Sequence, residues 1–430
     1  MHYYSTRNRS EEVNFTAAAL TGLAPDGGLY VPEQVPQYSG AVKSSLGTMA
    51  YTDIAFETIR PWVQPDIPGP VLEEMVHSAY PFTAPLVRAG DRLVLELFHG
   101  PTAAFKDFGA RFMARAFSYL RRGESKPLKI LVATSGDTGG AVADGFYGVE
   151  GISVTVLYPK GRVSPLQERQ IAGLKGNISA LAVEGSFDDC QHLVKQAFGD
   201  EELKKRLVLS SANSINISRL IPQVVYYAAA SGQAQNTVFS VPSGNFGNLI
   251  SGLYAWKFGL PVNGYIAAMN ANNAFGDFIR GRRFRPRPLI NTNSPALDVS
   301  IPVNFARLSS FYDEAPAVMR NMVFPASIDE NDTIKTMEQV WKHYGILLDP
   351  HSAVAFAAAR DFVKSEKFPC SHIIVLATGH PAREAALVET STGQRVSLPE
   401  KLELLKKEVD PIALIDPQLD ALEGAIASCF

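Results

Sequence analysis

The sequence predicts an α/β protein of open, mostly parallel sheets with helices on both faces, plus a smaller N-terminal domain. Two observations predict it. After residue 91, compact apolar runs pass three times through Gly/Ser/Thr-rich loops into helix-like periodicity, whereas the first 90 residues lack that rhythm. Leu128 to Ala133 runs through Thr134-Ser135-Gly136-Asp137-Thr138-Gly139-Gly140 into Ala141 to Tyr147. Thr237 to Val241 runs through Pro242-Ser243-Gly244-Asn245-Phe246-Gly247-Asn248 into Leu249 to Phe258, and His372 to Ala377 through Thr378-Gly379-His380-Pro381 into a further helix. In such sheets the loops at the carboxyl ends of strands are where ligands collect.

In chain order, residues 1 to 90 carry turn signals such as Pro25-Asp26-Gly27-Gly28 and a series of prolines between short apolar segments, as a small separate domain would. Residues 91 to 385 form the catalytic region, read as two α/β subdomains. In the helix after Lys106, Phe108, Phe112, Ala116 and Leu120 share one stripe, and Arg111, Arg115, Ser118 and Arg122 fall on a polar one. Residues 262 to 326 read as irregular connections, with Arg280-Gly281-Arg282-Arg283 and several prolines. Asp332 to Tyr344 reads as an amphipathic helix with an Asp cap and a stop at Gly345. Residues 386 to 430 read as a helical extension.

With 430 residues, 46% hydrophobic and 19% charged, the chain is long enough for two or three domains with large cores. A net charge of -3 and a pI near 6.3 supply no basic field for nucleic acid. Cys190, Cys370 and Cys429 match neither a disulfide framework nor a zinc pattern, the histidines form no HExxH pair, and no metal is expected. Without an apolar signal core or an 18-residue apolar run, the chain reads as cytoplasmic and without a membrane partner.

Chemistry concentrates in His99-Gly100-Pro101-Thr102-Ala103-Ala104-Phe105-Lys106-Asp107-Phe108-Gly109, a lone lysine among apolar and aromatic residues at a helix start. Burial there lowers an amine's pKa and frees it for imine chemistry; a snorkelling surface lysine is the alternative. A carbanion-stabilising cofactor such as pyridoxal phosphate needs such a lysine and a backbone nest for its phosphate. Ser243-Gly244-Asn245-Phe246-Gly247-Asn248 supplies a nest at a second helix start, where a plain βα turn would need only one glycine. Thr134, Ser135, Gly136, Asp137 and Thr138 form another anion-ready loop, suited to an amino-acid carboxylate or to simple helix capping. Neither loop has Walker A or GxGxxG spacing.

These segments, HGPTAAFKDFG (99 to 109), ATSGDTGGAVA (133 to 143) and SVPSGNFGN (240 to 248), resemble the threonine synthase family, of pyridoxal-phosphate fold type II (tryptophan synthase β-like). YYSTRN (3 to 8), GLAPDGGLYVPE (22 to 33), YPKGRVSPLQE (158 to 168), SANSINISRL (211 to 220) and DPHSAVAF (349 to 356) extend the resemblance over nearly the whole chain, in the longer bacterial and fungal form. It implies conversion of O-phospho-L-homoserine and water to L-threonine and phosphate, by γ-elimination and β-addition of water, in a monomer or homodimer. Lys106 would hold pyridoxal 5'-phosphate and move protons at Cα and Cβ. The 243 to 247 loop would hold its phosphate, Thr378 would face the pyridine nitrogen, and Asp137 would lie near the ring hydroxyl, where related fold-type II enzymes commonly carry asparagine. Thr134, Ser135, Gly136 and Thr138 would receive the substrate carboxylate. Lys160, Arg162, Ser214, Asn216 and Arg219 would serve the substrate, the cations facing its phosphate. Leu297 stands where the family usually has Met, a volume-conserving change. A phospho-lyase giving 2-oxobutyrate and a non-catalytic amino-acid or phosphate sensor are the rival readings.

Overall fold

The protein was analysed as a computed structural model that describes residues 1–364, 372–405, 409 and 411–429; Cys370 and the Cys429 side chain lie outside this set. Leu128–Ala133, Ile152–Pro159 and Ile178–Val183 are buried along their whole length. Continuous apolar runs of this kind suit parallel strands covered on both faces. They form a five-stranded parallel sheet in the order Ala413–Ile415, Ile178–Val183, Ile152–Pro159, Leu128–Ala133, Val208–Ser211. A six-stranded sheet runs Val323–Ser327, Val262–Met269, Thr237–Pro242, His372–Ala377, Arg92–Glu96, Leu86–Ala89, all parallel except the last.

Strand alternation divides the apolar residues between two faces. In the six-stranded sheet, Val238, Ile266 and Val375 face a core shared with the helix Pro350–Lys364, whereas Phe239, Ala267 and Ile374 face a central core. In the five-stranded sheet, Leu131, Leu157 and Leu181 pack with Cys190 and Leu193 of the helix Phe187–Gly199. Its other face, through Ile130, Val132 and Val156, joins the same central core, along with Phe108 and Phe112 of the helix Lys106–Leu120. Both sheets thus meet on one packed interior, with their strand ends converging on the start of that helix.

The N-terminal region is an antiparallel sheet, Glu12–Asn14, His2–Ser5, Tyr30–Pro32, backed by the helices Tyr51–Val63 and Gly69–Ala79. Arg307, fully buried, fastens it down by donating to the carbonyls of Tyr30 (2.8 and 3.0 Å) and Ile215 (2.7 Å). Leu86–Ala89 already belongs to the six-stranded sheet, and Ala413–Ile415 adds a strand to a C-terminal region expected to be helical.

Residues 262 to 326 are more regular than expected. They hold the strands Val262–Met269 and Val323–Ser327 and the helices Ala274–Ile279, Phe305–Glu314 and Pro316–Met322; the longest stretch without helix or strand is 280 to 294. The helix expected from Asp332 begins at Glu330, because Asp329 is the cap and accepts from the Asp332 N–H at 2.8 Å. Its stop is Gly345, at φ 66°.

Candidate active site

Lys106 is the first residue of its helix, and the turn before it is bonded to the loop after His372–Ala377: Phe105 N–H donates to Thr378 O (2.9 Å) and His380 N–H to Ala103 O (3.0 Å). Two glycines of the motif are forced by close packing. A Cβ on Gly100 would lie 2.3 Å from Asp107 Oδ2, and one on Gly109 would lie 2.6 Å from Arg219 O. The lysine side chain enters a cavity whose lining includes Asp137, Thr138, Ser214, Arg219, Gly244 to Asn248, His351, Thr378 and Arg383.

Lys106 Nζ lies 3.3 Å from Asp137 Oδ2. Asp137 Oδ1 accepts from Gln167 Nε2 (2.8 Å) and from Arg383 Nη2. Burial is the largest influence on Lys106 and lowers its pKa, with Asp137 opposing. For Asp137 burial works upward, but Arg383 and then Lys106 overcome it and hold the carboxyl well below the usual range. Burial thus favours the neutral amine while the acid beside it stays ionised.

Across the cavity, Phe246 adopts a left-handed conformation (φ 59°) and launches the helix Gly247–Lys257. Ile250 N–H makes the first bond within this helix, to Phe246 O (2.9 Å), which leaves the N–H groups of Gly247, Asn248 and Leu249 ahead of the ladder. A Cβ on Gly244 would lie 2.5 Å from Ala296 O. Among the described residues, two buried donors of this lining, Asn248 Nδ2 and Arg219 Nε, have no hydrogen-bond partner. Free donors at a helix start opposite an amine fit a phosphorylated aldehyde, and the orphaned nitrogens show that the protein does not satisfy this wall by itself. A second cavity, of about 370 Å³, between residues 31–37 and the helices Gly247–Lys257 and Phe305–Glu314, contains none of the expected site residues.

Of the expected residues, Lys106, Asp137, Thr138, Ser214, Gly244, Asn245, Phe246, Gly247, Arg219 and Thr378 come together. The others are placed differently. Thr134 Oγ1 accepts the N–H groups of Gly136 and Gly139, both at 2.9 Å, and so closes its own loop; Ser135 and Gly136 are outside the lining. Ser243 hydroxyl donates to Val241 O. Asn216 is fully buried and bonded to Ala19, Ser211 and Ser218. Lys160 is half exposed and paired with Glu184, and Arg162 is exposed; neither lines the cavity. The 158 to 168 segment reaches the site through Gln167.

Gln167, His351 and Arg383 reach the site without having been expected there, and Asn248, the last residue of the expected nest, lines it too. His351 Nδ1 donates to Asp349 (2.7 Å) and Nε2 accepts the Ala296 N–H (3.1 Å), which holds the 294 to 298 segment against Gly244. The signals were present in SGNFGN, DPHSAVAF and the run after Thr378, but the bonds that tie Gln167 and Arg383 to Asp137 and His351 to Ala296 span 30, 246 and 55 residues.

Models of three families match: the threonine synthase N terminus over residues 2–80, pyridoxal-phosphate dependent enzymes over 88–379, and the threonine synthase C-terminal region over 352–426. Threonine synthase of Escherichia coli K12 is 41% identical over 408 residues, covering 94% of each chain. The crystal structure of Escherichia coli threonine synthase superposes with a TM-score of 0.92 at 39% identity, covering 100% of both chains. The pyridoxal-phosphate-bound threonine synthase of Brucella melitensis does so with 0.90 at 35%, covering 100% of this chain and 99% of that one. Fold and site define a pyridoxal-phosphate-dependent lyase of fold type II. Within that class, the chain belongs to the threonine synthase family.

Proposed function

We propose that the substrate is O-phospho-L-homoserine, converted with water to L-threonine and phosphate in the cytoplasm, and that Lys106 is the cofactor lysine. The carrying observation is the placement of a buried amine, its pKa lowered by burial, between an ionised acid and a helix start with free N–H groups. Gly244 to Asn248 would hold the cofactor phosphate, Thr378 the pyridine nitrogen, and Asp137 the ring hydroxyl side. Pyridoxal phosphate, when bound, supplies the electron sink for charge developed at Cα and beyond.

The protein's residues do the rest. Lys106 would take and return protons at Cα and Cβ, and burial, which lowers its pKa from the usual amine range, favours the neutral form that a base needs. Thr138 and the helix start Asp137–Phe146 receive the carboxylate. Arg219 is 2% exposed, with Nη1 on Ala212 O (2.6 Å) and Nε free, so it offers a fixed cation to the leaving phosphate beside Ser214.

The purified protein with pyridoxal phosphate is expected to release threonine and phosphate in equal amounts from O-phosphohomoserine. Phosphate with 2-oxobutyrate would instead establish the phospho-lyase reading. Borohydride reduction is expected to leave the cofactor on Lys106, and a reduced protein without that adduct would refute the assignment.

A further inference from the structure

Asp137 introduces a carboxylate where a neutral amide would suffice to bond a ring hydroxyl, and a buried carboxylate needs compensation. Arg383 provides it from the far end of the chain. Its side chain is 4% exposed; Nη2 bonds Asp137 Oδ1, and Nη1 donates to Thr102 O (2.6 Å) and Gln170 Oε1 (3.3 Å). Thr102 in turn donates its N–H (2.9 Å) and hydroxyl (2.6 Å) to Asp107, next to the lysine. One guanidinium therefore touches both the acid facing the amine and the turn that carries it.

We propose that Arg383 is a positioning residue of the reaction: it clamps Asp137 so that the second carboxylate oxygen faces Lys106, and its charge offsets the acid's hold on the lysine proton. This rests on the reading of Lys106 as the cofactor lysine. Asp137 alone would keep the nitrogen protonated, because an ionised acid at 3.3 Å favours the cation. With Arg383 on the opposite oxygen, the acid is shared between two cations and binds each less. Arg219 adds a second repulsive charge toward Lys106. The other ionisable groups of the lining are Asp349, His351 and Glu384, and Asp107, on the lysine's own helix, is bonded to Thr102. Of all these, only Asp137 is bonded to the amine and only Arg383 is paired with Asp137.

The test is the pH midpoint of the cofactor's visible absorption in the holoenzyme, read for the parent, Arg383→Met, Arg383→Lys and Asp137→Asn, with the adduct mapped by mass spectrometry after reduction. Loss of the guanidinium is expected to raise the midpoint by about one pH unit or more, the shift a nearby like charge produces. Arg383→Lys should recover most of it, and Asp137→Asn should move the midpoint down. The reactivity of Lys106 toward an amine-acylating reagent in the apoenzyme at pH 8 is expected to fall in Arg383→Met and rise in Asp137→Asn. An Arg383→Met midpoint equal to the parent's, with the adduct on Lys106, overturns the proposal. If Arg383→Met does not fold, an Asp137→Asn protein whose midpoint and labelling both match the parent overturns it equally. An adduct absent from Lys106 in the parent overturns the underlying assignment instead.

Discussion

The loops 134–140 and 243–248 share a sequence signature, small and hydroxylated residues between a buried strand and a helix, yet they are built for different tasks. The 243–248 loop leaves its donors open: the helix start is free, Asn248 Nδ2 has no partner, and Ala296 and His351 brace it from behind. The 134–140 loop closes on itself, with Thr134 taking two of its N–H groups, and projects a charged side chain, Asp137, into a network with Lys106, Gln167 and Arg383. Backbone donors suit an anion that stays bound with a constant charge. A side-chain network suits a nitrogen whose proton must come and go. Thus two loops that look alike in sequence divide holding from tuning.

The most severe way to break this division is Lys106→Ala. It is expected to abolish the visible cofactor band and to reduce turnover by at least the ~10²–10⁴-fold that positioned proton transfer contributes, while cofactor phosphate analogues still bind the intact 243–248 loop. Equilibrium dialysis with pyridoxine phosphate checks the second half. If the analogue is lost as well, holding and tuning are not separable.

Asp107 sharpens the tuning side through pH. Burial, partly opposed by the Thr102 bonds, raises its pKa to about 7. In the unfolded chain the group ionises near ~3.9. Its folded value lies higher, so the stability attached to its protonated form is complete below ~4 and is lost as pH rises to about 7. The loss is on the order of a few kcal/mol. Asp107→Asn keeps the shape, and the Thr102 hydroxyl can turn to accept from the amide. The melting temperature of Asp107→Asn relative to the parent is expected to rise from pH 5 to about pH 7 and to level off by pH 8. A pH-independent gap would show that the carboxyl is already ionised at pH 5.

How much of this was legible follows from the range of each interaction. Leu128–Ala133 and His372–Ala377 begin and end where the apolar runs do, since a strand buried on both faces has only one composition available to it. The stripe from Phe108 to Ala116 was legible because helix periodicity is local. The cap at Asp329 was misplaced by three residues because three acids, Asp329, Glu330 and Asp332, stand together, and only backbone geometry selects between them. Val262–Met269 was hidden by Asn263 and Gly264, the latter a glycine because the Phe324 ring would meet its Cβ at 2.7 Å. Arg383 was illegible for a simpler reason: its partner Asp137 lies 246 residues away, and no local pattern marks a residue chosen to balance a distant charge.

On the holding side, Gly244→Ala adds a methyl 2.5 Å from Ala296 O and must displace the 294–298 segment. Overpacking of this kind costs about 1–3 kcal/mol, or roughly 10- to 100-fold in cofactor affinity, with the pH midpoint of the bound cofactor unchanged. Thr134→Val makes the smaller and more discriminating change. It removes the oxygen that accepts from Gly136 and Gly139 but keeps the buried volume. Loss of such a cap costs about 1 kcal/mol of stability, and the loosened helix start shifts Asp137 and Thr138 together. Thr134→Val is therefore expected to raise KM for O-phosphohomoserine and move the midpoint of the visible band, while the cofactor dissociation constant stays within about twofold of the parent, which is under 0.5 kcal/mol. Because both loops begin at the end of a buried strand, an equal loss of cofactor affinity in the two variants would mean that the strands transmit strain between them, and the division of labour would then belong to the whole cavity.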